Sequence, residues 1–126
     1  MLCVKTKLKI SKISGMGLFA DEDIPKGTTV WKFEPNIDVL LSKQEIEKLT
    51  DASKEQVYNY AFLDVDHKKY MLCGDDARFF NHSDNSNCTD EFSNITVALR
   101  DIKAGEELTV NYKKFYGDME KQPELL

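Results

Sequence analysis

The run Arg78–Ser83, Arg-Phe-Phe-Asn-His-Ser, places polar side chains that can exchange protons or hydrogen bonds directly after two aromatic residues. A histidine such as His82 can act as a general base near neutral pH. A histidine-based hydrolase also needs a nucleophile and an orienting acid close by in space, and the position of Ser83 next to His82 in sequence says nothing about that. The alternative is a capped helical turn with a structural Asn81 and a surface histidine, and the run by itself leaves both open.

A pair of glycines forms a second candidate ligand site. Gly15, Gly17 and Ala20 match the G-x-G-x-x-A pattern of dinucleotide-binding loops. That pattern requires a helix to begin at the glycines, and Pro25 and Gly27 follow too soon for one, which argues against a dinucleotide site. The glycines still allow backbone groups to approach a ligand closely, and the alternative is a plain turn between two strands.

A third candidate segment, Gly105–Tyr112, predicts a turn followed by a strand that ends in a tyrosine. Such a tyrosine usually belongs to the core or its rim, although its hydroxyl can also orient a reacting group. Phe115 and Tyr116 continue an aromatic cluster, which would either roof a pocket or close the core.

The sequence predicts no metal site. A calcium loop beginning at Asp84 would need glycine at its sixth position and glutamate at its twelfth, where Thr89 and Ile95 stand. The cysteines are odd in number and lack a C-x-x-C spacing, so they predict free thiols in a reducing compartment instead of disulfides or a zinc cluster. They are Cys3, Cys73 and Cys88.

Composition and charge limit the classes of protein that the chain can belong to. Its 126 residues predict one domain, and 41% hydrophobic with 31% charged residues is ordinary for a globular protein. A net charge of −5 argues against direct nucleic-acid binding and favours a cationic partner. Neither a membrane helix of roughly 18 apolar residues nor a signal peptide is evident. We therefore expect a protein that is not secreted and is cytoplasmic, or nuclear in a eukaryote.

Hydrophobic periodicity predicts a mainly β protein with short helices. Strands are expected over residues 4–10, 18–20, 28–33, 69–73, 95–99 and 108–112. Two short helices, or one helix broken near Asp51, are expected in the central segment. A capping box begins there at Ser42 and a second start signal at Ser53, with Ile46 and Leu49 on one face. Two shorter elements complete the prediction, one helical turn over 75–80 and a polar loop over 82–89.

Two segments of the chain have similar sequences and predict similar turns. Asp23–Gly27 resembles Asp101–Gly105, and each segment predicts a tight turn before a strand, with glycine where a positive φ is expected. Two copies are too few for a solenoid, so we expect two similar β-corners in one compact domain.

Taken in order, the three candidate segments resemble the motifs of the SET domain of protein lysine methyltransferases. Gly15–Ala20 is similar to the family's first motif. Arg78–Ser83 together with Asn87 is similar to its R-F-x-N-H-S-C-x-P-N motif, and Glu107–Tyr112 to its E-L-x-x-D-Y motif. Because three motifs occur in the family's order, the resemblance is specific.

The resemblance extends from about Val4 to Asp118 and implies a fold as well as an activity. The implied fold has several small β-sheets around a pseudo-knotted C-terminal segment. The implied domain occupies residues 1–118, and residues 119–126 form a polar tail. The implied activity is transfer of a methyl group from S-adenosylmethionine to a lysine side chain of a protein substrate, which the acidic balance of this chain suggests is basic.

The resemblance also implies roles for individual residues. Backbone groups around Met16 and Gly17 would hold the methionine part of the donor, and Asn81 and His82 would bind the donor through main-chain groups and the Asn81 amide. The full implied cofactor-binding set is Met16, Gly17, Arg78, Asn81, His82 and Tyr112. Tyr112 is the implied catalytic residue. The implied substrate-channel residues are Phe33, Val110, Phe115 and Tyr116.

Several positions depart from the family pattern. Asp84 and Ser86 replace its cysteine and proline, Asn111 replaces the acid before the tyrosine, and Phe33 stands where a tyrosine is expected. The cysteines do not form the zinc cluster that follows some members. These departures leave open an alternative function, a SET-fold module that binds the cofactor or a protein partner without methyl transfer. A homodimer is compatible with a domain of this size.

Overall fold

The computed structural model describes residues 1–64, 68–92 and 94–111, and it begins with a two-stranded hairpin. Strands β1 (Thr6–Ile10) and β2 (Met16–Ala20) pair antiparallel, with Leu8 opposite Leu18. The turn between them contains Gly15 at φ +47°, a conformation that glycine adopts without strain. The strand and the glycine turn predicted here are therefore confirmed.

A three-stranded antiparallel sheet carries the longest pairings after the hairpin. Its order is β3 (Thr29–Lys32), β9 (Ile95–Ala98) and β8 (Cys88–Phe92). The predicted polar loop over 82–89 is wrong at both ends, because His82 belongs to a short strand, and Cys88 and Thr89 are buried and begin β8. Pairing with β9 supplies the strand conformation that the local sequence does not favour.

The central segment forms two short helices, α1 (Lys43–Glu47) and α2 (Asp51–Tyr60). Ser42 closes the predicted capping box with Glu45 at the start of α1.

Two details of the helical prediction are wrong. The second helix begins one turn earlier than expected, because the hydroxyl of Thr50 accepts the N–H of Ser53 and makes Thr50 the N-cap. Leu49 is exposed in the linker, while Ile46 is fully buried, so the two do not share a buried face.

A second three-stranded sheet packs beside these helices. It has the order β4 (Val39–Leu41), β6 (Lys69–Leu72) and β5 (Phe62–Asp64), all antiparallel. Of these strands, β6 was predicted. The outer strands β4 and β5 have three residues each, which is too short for a periodic signal.

Two small elements lead into the candidate site. The predicted helical turn is a 3-10 helix over Asp76–Phe79, and it is followed by β7 (Asn81–His82). β7 pairs in parallel with β10 (Thr109–Val110).

The mainly β architecture of several small sheets is thus confirmed. The end of the C-terminal segment, from residue 112, lies outside the described residues, so the pseudo-knot, the domain end at 118 and the tail stay predictions.

The main core lies between the hairpin, the first sheet and the strand β10. Its buried members are Leu18, Ala20, Ile24, Val30, Cys88, Ala98, Ile102, Leu108 and Val110. Smaller clusters lie around Trp31 and around Ile46. Within the described residues, no helix combines the length and the apolar composition that a membrane crossing requires.

Candidate functional site

The side chain of Asn81 is the point where the glycine loop and the segment that contains Glu107 meet. Its amide Nδ2 lies within hydrogen-bond distance of three acceptors, the carbonyl oxygens of Ser14 at 3.1 Å and Met16 at 3.3 Å and Glu107 Oε2 at 2.9 Å. One side chain therefore ties the glycine loop and the segment before Tyr112 to the Asn-His pair. Asn81 is 65 or more positions from the loop residues in sequence, so these contacts depend on the tertiary fold.

The local sequence around the 3-10 helix explains why Asn81 points there. Asp75 caps the helix by accepting the N–H of Ala77 at 3.1 Å. Arg78 Nη2 donates to the carbonyl oxygen of Cys73 at 2.8 Å, and its guanidinium lies 5.4 Å from the ring centroid of Tyr60. In this position Arg78 braces the turn, and its predicted contact with a cofactor stays a prediction.

The parallel pair β7–β10 brings the Asn-His pair beside the segment that precedes Tyr112. Thr109 lies opposite Asn81 and Val110 opposite His82, and the N–H of Ser83 donates to the carbonyl oxygen of Val110 at 3.0 Å. The chain therefore reaches position 110 directly beside the Asn-His pair. Tyr112, the predicted catalytic residue, follows two positions later and lies outside the described residues.

A buried asparagine, Asn87, holds the two motifs together. Its Nδ2 donates to the carbonyl oxygen of Glu107 at 2.8 Å, and its Oδ1 accepts the N–H of Thr109 at 2.9 Å. Asn87 is 3% exposed, and its side chain replaces a strand partner for the segment before β10. The sequence pattern includes Asn87 without indicating a role for it, and the structure shows this clamp.

Glu107 is a polar residue of the site that sequence analysis did not select. Ser11 Oγ lies 2.8 and 2.9 Å from its two carboxylate oxygens, and Asn81 Nδ2 lies 2.9 Å from one of them. A Cβ added to Gly17 would lie 2.5 Å from Glu107 Oε2. The second glycine of the loop is therefore required for the close approach of this carboxylate. Its position as the first residue of the E-L-x-x-D-Y pattern was the available signal.

His82 and Asp84 form a pair on the outer side of the turn. His82 Nε2 lies 3.0 Å from Asp84 Oδ1, and the Asp84 side chain is largely exposed. The partner of Nε2 is thus a carboxylate and not a serine or cysteine nucleophile. The geometry does not favour the hydrolase interpretation of the run.

The predicted substrate-channel residues lie in different surroundings. Phe33 is half-buried and packs against the cluster around Trp31, whereas Val110 is 2% exposed and belongs to the main core. Phe115 and Tyr116 lie outside the described residues. The channel roles of all four stay predictions.

The cysteines are spread over the fold. Burial raises the pKa of the thiols of Cys73 and Cys88 to about 12, and at Cys73 the carboxylates of Asp38 and Asp75 add to the effect. Cys3 is exposed, and all three thiols are free. In the part of the chain that the structure describes, no three acidic, cysteine or histidine residues are grouped so that they could hold a metal ion.

Comparison with known proteins gives a match over a range that contains the three candidate segments. A family model described as the SET domain matches residues 15–113. The chain is 34% identical over 111 residues to the histone-lysine N-methyltransferase trr of Drosophila melanogaster, covering 82% of this chain and 4% of that protein. It is 30% identical over 121 residues to a variant-silencing SET domain-containing protein of Plasmodium falciparum, covering 84% of this chain and 5% of that protein.

A solved structure shows a similar fold. Polycomb Repressive Complex 2 of Chaetomium thermophilum, in an autoinhibited conformation bound to S-adenosylmethionine, matches with a TM-score of 0.66 and 26% identity. The match covers 95% of this chain and 16% of that one. The chain thus spans 5% or less of the length of the two curated relatives and a minor part of the solved chain.

Proposed function

Because the chain belongs to the SET-domain family, we propose that it transfers a methyl group from S-adenosylmethionine to the side-chain amine of a lysine in a protein. The observation that carries the proposal is the contact of the Asn81 amide with the glycine loop on one side and Glu107 on the other. It brings the residues proposed to bind the donor next to Glu107, which precedes β10.

The described residues fit the proposed cofactor. Met16 is 42% exposed, and its carbonyl oxygen lies next to the Asn81 amide, so polar groups line an accessible edge of the loop. We propose that the methionine part of the donor lies along Met16 and Gly17, and the adenine near His82. When bound, S-adenosylmethionine supplies an activated methyl group on a sulfonium, which is already a good leaving group.

The protein itself must align the reacting groups and accept a neutral lysine amine. Proximity and orientation can contribute roughly 7–11 kcal/mol. At pH 7, removing the proton of a lysine with a pKa of about 10.4 costs about 4.6 kcal/mol, and an apolar channel lowers that pKa. The uncharged side chain of Phe33 suits such a channel. We assign Tyr112 the role of a polar group that orients the amine.

The substrate that we propose is a basic, lysine-rich protein. The net charge of −5 favours a cationic partner, and the Drosophila relative is named a histone-lysine methyltransferase. If chromatin proteins are the substrate, the nucleus is the compartment of action; a cytoplasmic substrate would place the chain in the cytoplasm.

The test is incubation with labelled S-adenosylmethionine and a histone mixture, followed by mass spectrometry of the modified lysine. We expect label in protein from the wild type and loss of label with Asn81→Ala. Asn85→Ala is the matched control, because Asn85 is exposed in the neighbouring turn and should leave labelling unchanged.

A second candidate function is a SET-fold module that binds without methyl transfer, which the departures at Phe33 and Asn111 favour. Donor binding without label in any protein would support this module and contradict the enzyme. A chain that binds no S-adenosylmethionine would contradict both the enzyme and a module that uses the cofactor.

A further inference from the structure

The carboxylate of Glu107 is held by uncharged donors. Ser11 Oγ donates to it and Asn81 Nδ2 donates to Oε2, and no cationic side chain of the described residues lies within salt-bridge distance of it. Glu107 is partly buried, so water compensates its charge less well than at the surface. A partly buried carboxylate without a cationic partner favours a cationic ligand.

The cluster around Asn81 has more hydrogen-bond acceptors than amide protons to fill them. An amide NH2 group has two protons, and three acceptors surround Asn81 Nδ2, namely Ser14 O, Met16 O and Glu107 Oε2. In the described part of the chain, nothing donates to Asn81 Oδ1. The cluster therefore offers more acceptors than it has protons, and an ammonium group would bring three N–H donors.

The loop geometry places the carboxylate against the backbone that is proposed to hold the amino-acid end of the donor. Only the missing side chain of Gly17 lets Glu107 Oε2 approach, since an added Cβ would lie 2.5 Å from it. Ser11 fixes the carboxylate in turn, because its Oγ also accepts the N–H of Ile13 at 2.9 Å within the turn of the hairpin.

We propose that Glu107 provides the negative charge that binds the ammonium group of the donor's amino-acid part, and that Ser11 positions its carboxylate. This inference rests on the proposed function and adds a specificity-determining residue to it. The charge acts on the amino-acid end of the ligand and not on its adenosine part. Ligands with and without that end should therefore respond differently to loss of the charge.

The experiment measures binding by calorimetry of two ligands, S-adenosylhomocysteine and 5′-methylthioadenosine, which lacks the amino-acid part. Glu107→Gln keeps the size of the side chain and removes its charge. We expect it to weaken S-adenosylhomocysteine binding by about tenfold or more, as for a lost hydrogen bond to a charged group, and to leave 5′-methylthioadenosine unchanged. Glu106→Gln, the same change at the exposed neighbour, should affect neither ligand.

A second variant keeps the inference testable if Glu107→Gln does not fold, which a thermal melt reveals. Ser11→Ala retains the charge but loses its anchor, so we expect a smaller loss that is again confined to S-adenosylhomocysteine. Equal weakening of both ligands, or of neither, would overturn the inference. If the wild type binds neither ligand, the proposed function itself fails, which is a separate outcome.

Discussion

Ile24 and Ile102 exchange both of their backbone hydrogen bonds in the centre of the main core. Ile24 N–H donates to the carbonyl oxygen of Ile102 at 2.7 Å, and Ile102 N–H donates to that of Ile24 at 2.8 Å. Each residue is 1% exposed. The two similar turns, Asp23–Gly27 and Asp101–Gly105, are therefore paired with each other in space.

The aspartates that begin the two turns cross over to the partner turn. Asp23 Oδ1 accepts the N–H of Ala104 at 2.9 Å, and Asp101 Oδ1 accepts the N–H of Lys26 at 2.8 Å. Each turn thus satisfies backbone donors of the other, in an approximately two-fold arrangement. This pair of corners supports the base of the hairpin and the segment that leads to Glu107.

Truncation at the paired corners should be costly. Ile24→Ala removes a fully buried side chain and leaves a cavity, so we expect the free energy of unfolding to fall by about 2–5 kcal/mol. Urea unfolding followed by circular dichroism measures the change. Ile10→Ala is the control, because Ile10 is 83% exposed in the hairpin and its loss should stay within about 0.5 kcal/mol. Similar losses for both variants would contradict the central position of the corners.

Substitution of Gly17 should reveal its contact with Glu107. In Gly17→Ala the new methyl group meets Glu107 Oε2, so we expect about 1–3 kcal/mol of destabilisation from overpacking. In a Glu107→Ala background the same substitution should cost less, because the obstacle is gone. At Gly74 the added Cβ would lie 2.0 Å from the backbone carbonyl oxygen of Ile37, so Glu107→Ala should not relieve Gly74→Ala. Thermal unfolding of the wild type, the three single variants and the two double variants tests this pattern.

Local chemistry made several parts of the fold predictable. The capping box at Ser42 depends on residues three apart, and it forms as expected. Gly27 and Gly105 have φ values of +86° and +94°, which the turn patterns predicted. The strands predicted over 4–10 and 95–99 are confirmed because alternation or β-branching persists over enough residues to give a signal.

Other features depend on contacts between distant segments and could not be predicted. Ser11 and Glu107 are 96 positions apart, so no local pattern indicates that they meet. Strands β4 and β5 exist because both pair with β6, and three residues carry too little periodicity to reveal them. Thr50 competes with Ser53 as a helix cap, and both residue types favour that position, so the sequence alone does not decide between them.

The three cysteines should differ in reactivity. The thiolate is the reactive form, and burial raises the pKa of Cys73 and Cys88 to about 12, so both stay protonated at pH 8. A disulfide reagent should therefore titrate Cys3 rapidly in the native protein, and all three thiols in the unfolded protein. Cys3→Ser should abolish the rapid phase. Three rapid thiols in the native wild type would contradict the burial of the other two.

The capping box should give the protein a specific dependence on pH. The backbone N–H and then the hydroxyl of Ser42 hold the pKa of Glu45 below its ordinary value. A lowered pKa in the folded state stabilises the fold above about pH 4.3, the ordinary glutamate value, and the contribution is lost as pH falls through the folded pKa. We expect wild type to exceed Glu45→Gln in stability at pH 7, with the difference disappearing in acid. Glu55→Gln, a charge loss outside the cap, should show no such pattern in the same denaturation series.

The role of Tyr112 can be separated from donor binding by removing its hydroxyl. If that hydroxyl orients the lysine amine, Tyr112→Phe should lower kcat by about a hundredfold, since small misplacements of reacting groups have effects of that size. Affinity for S-adenosylhomocysteine should fall much less than kcat, because the glycine loop and Asn81 are proposed to hold most of the donor. Tyr58→Phe is the matched control, since it removes a hydroxyl that donates to Glu47 at 3.0 Å on the helical side of the molecule. Methyl transfer by Tyr112→Phe at the wild-type rate would exclude an orienting hydroxyl and leave the apolar channel as the source of the reactive amine.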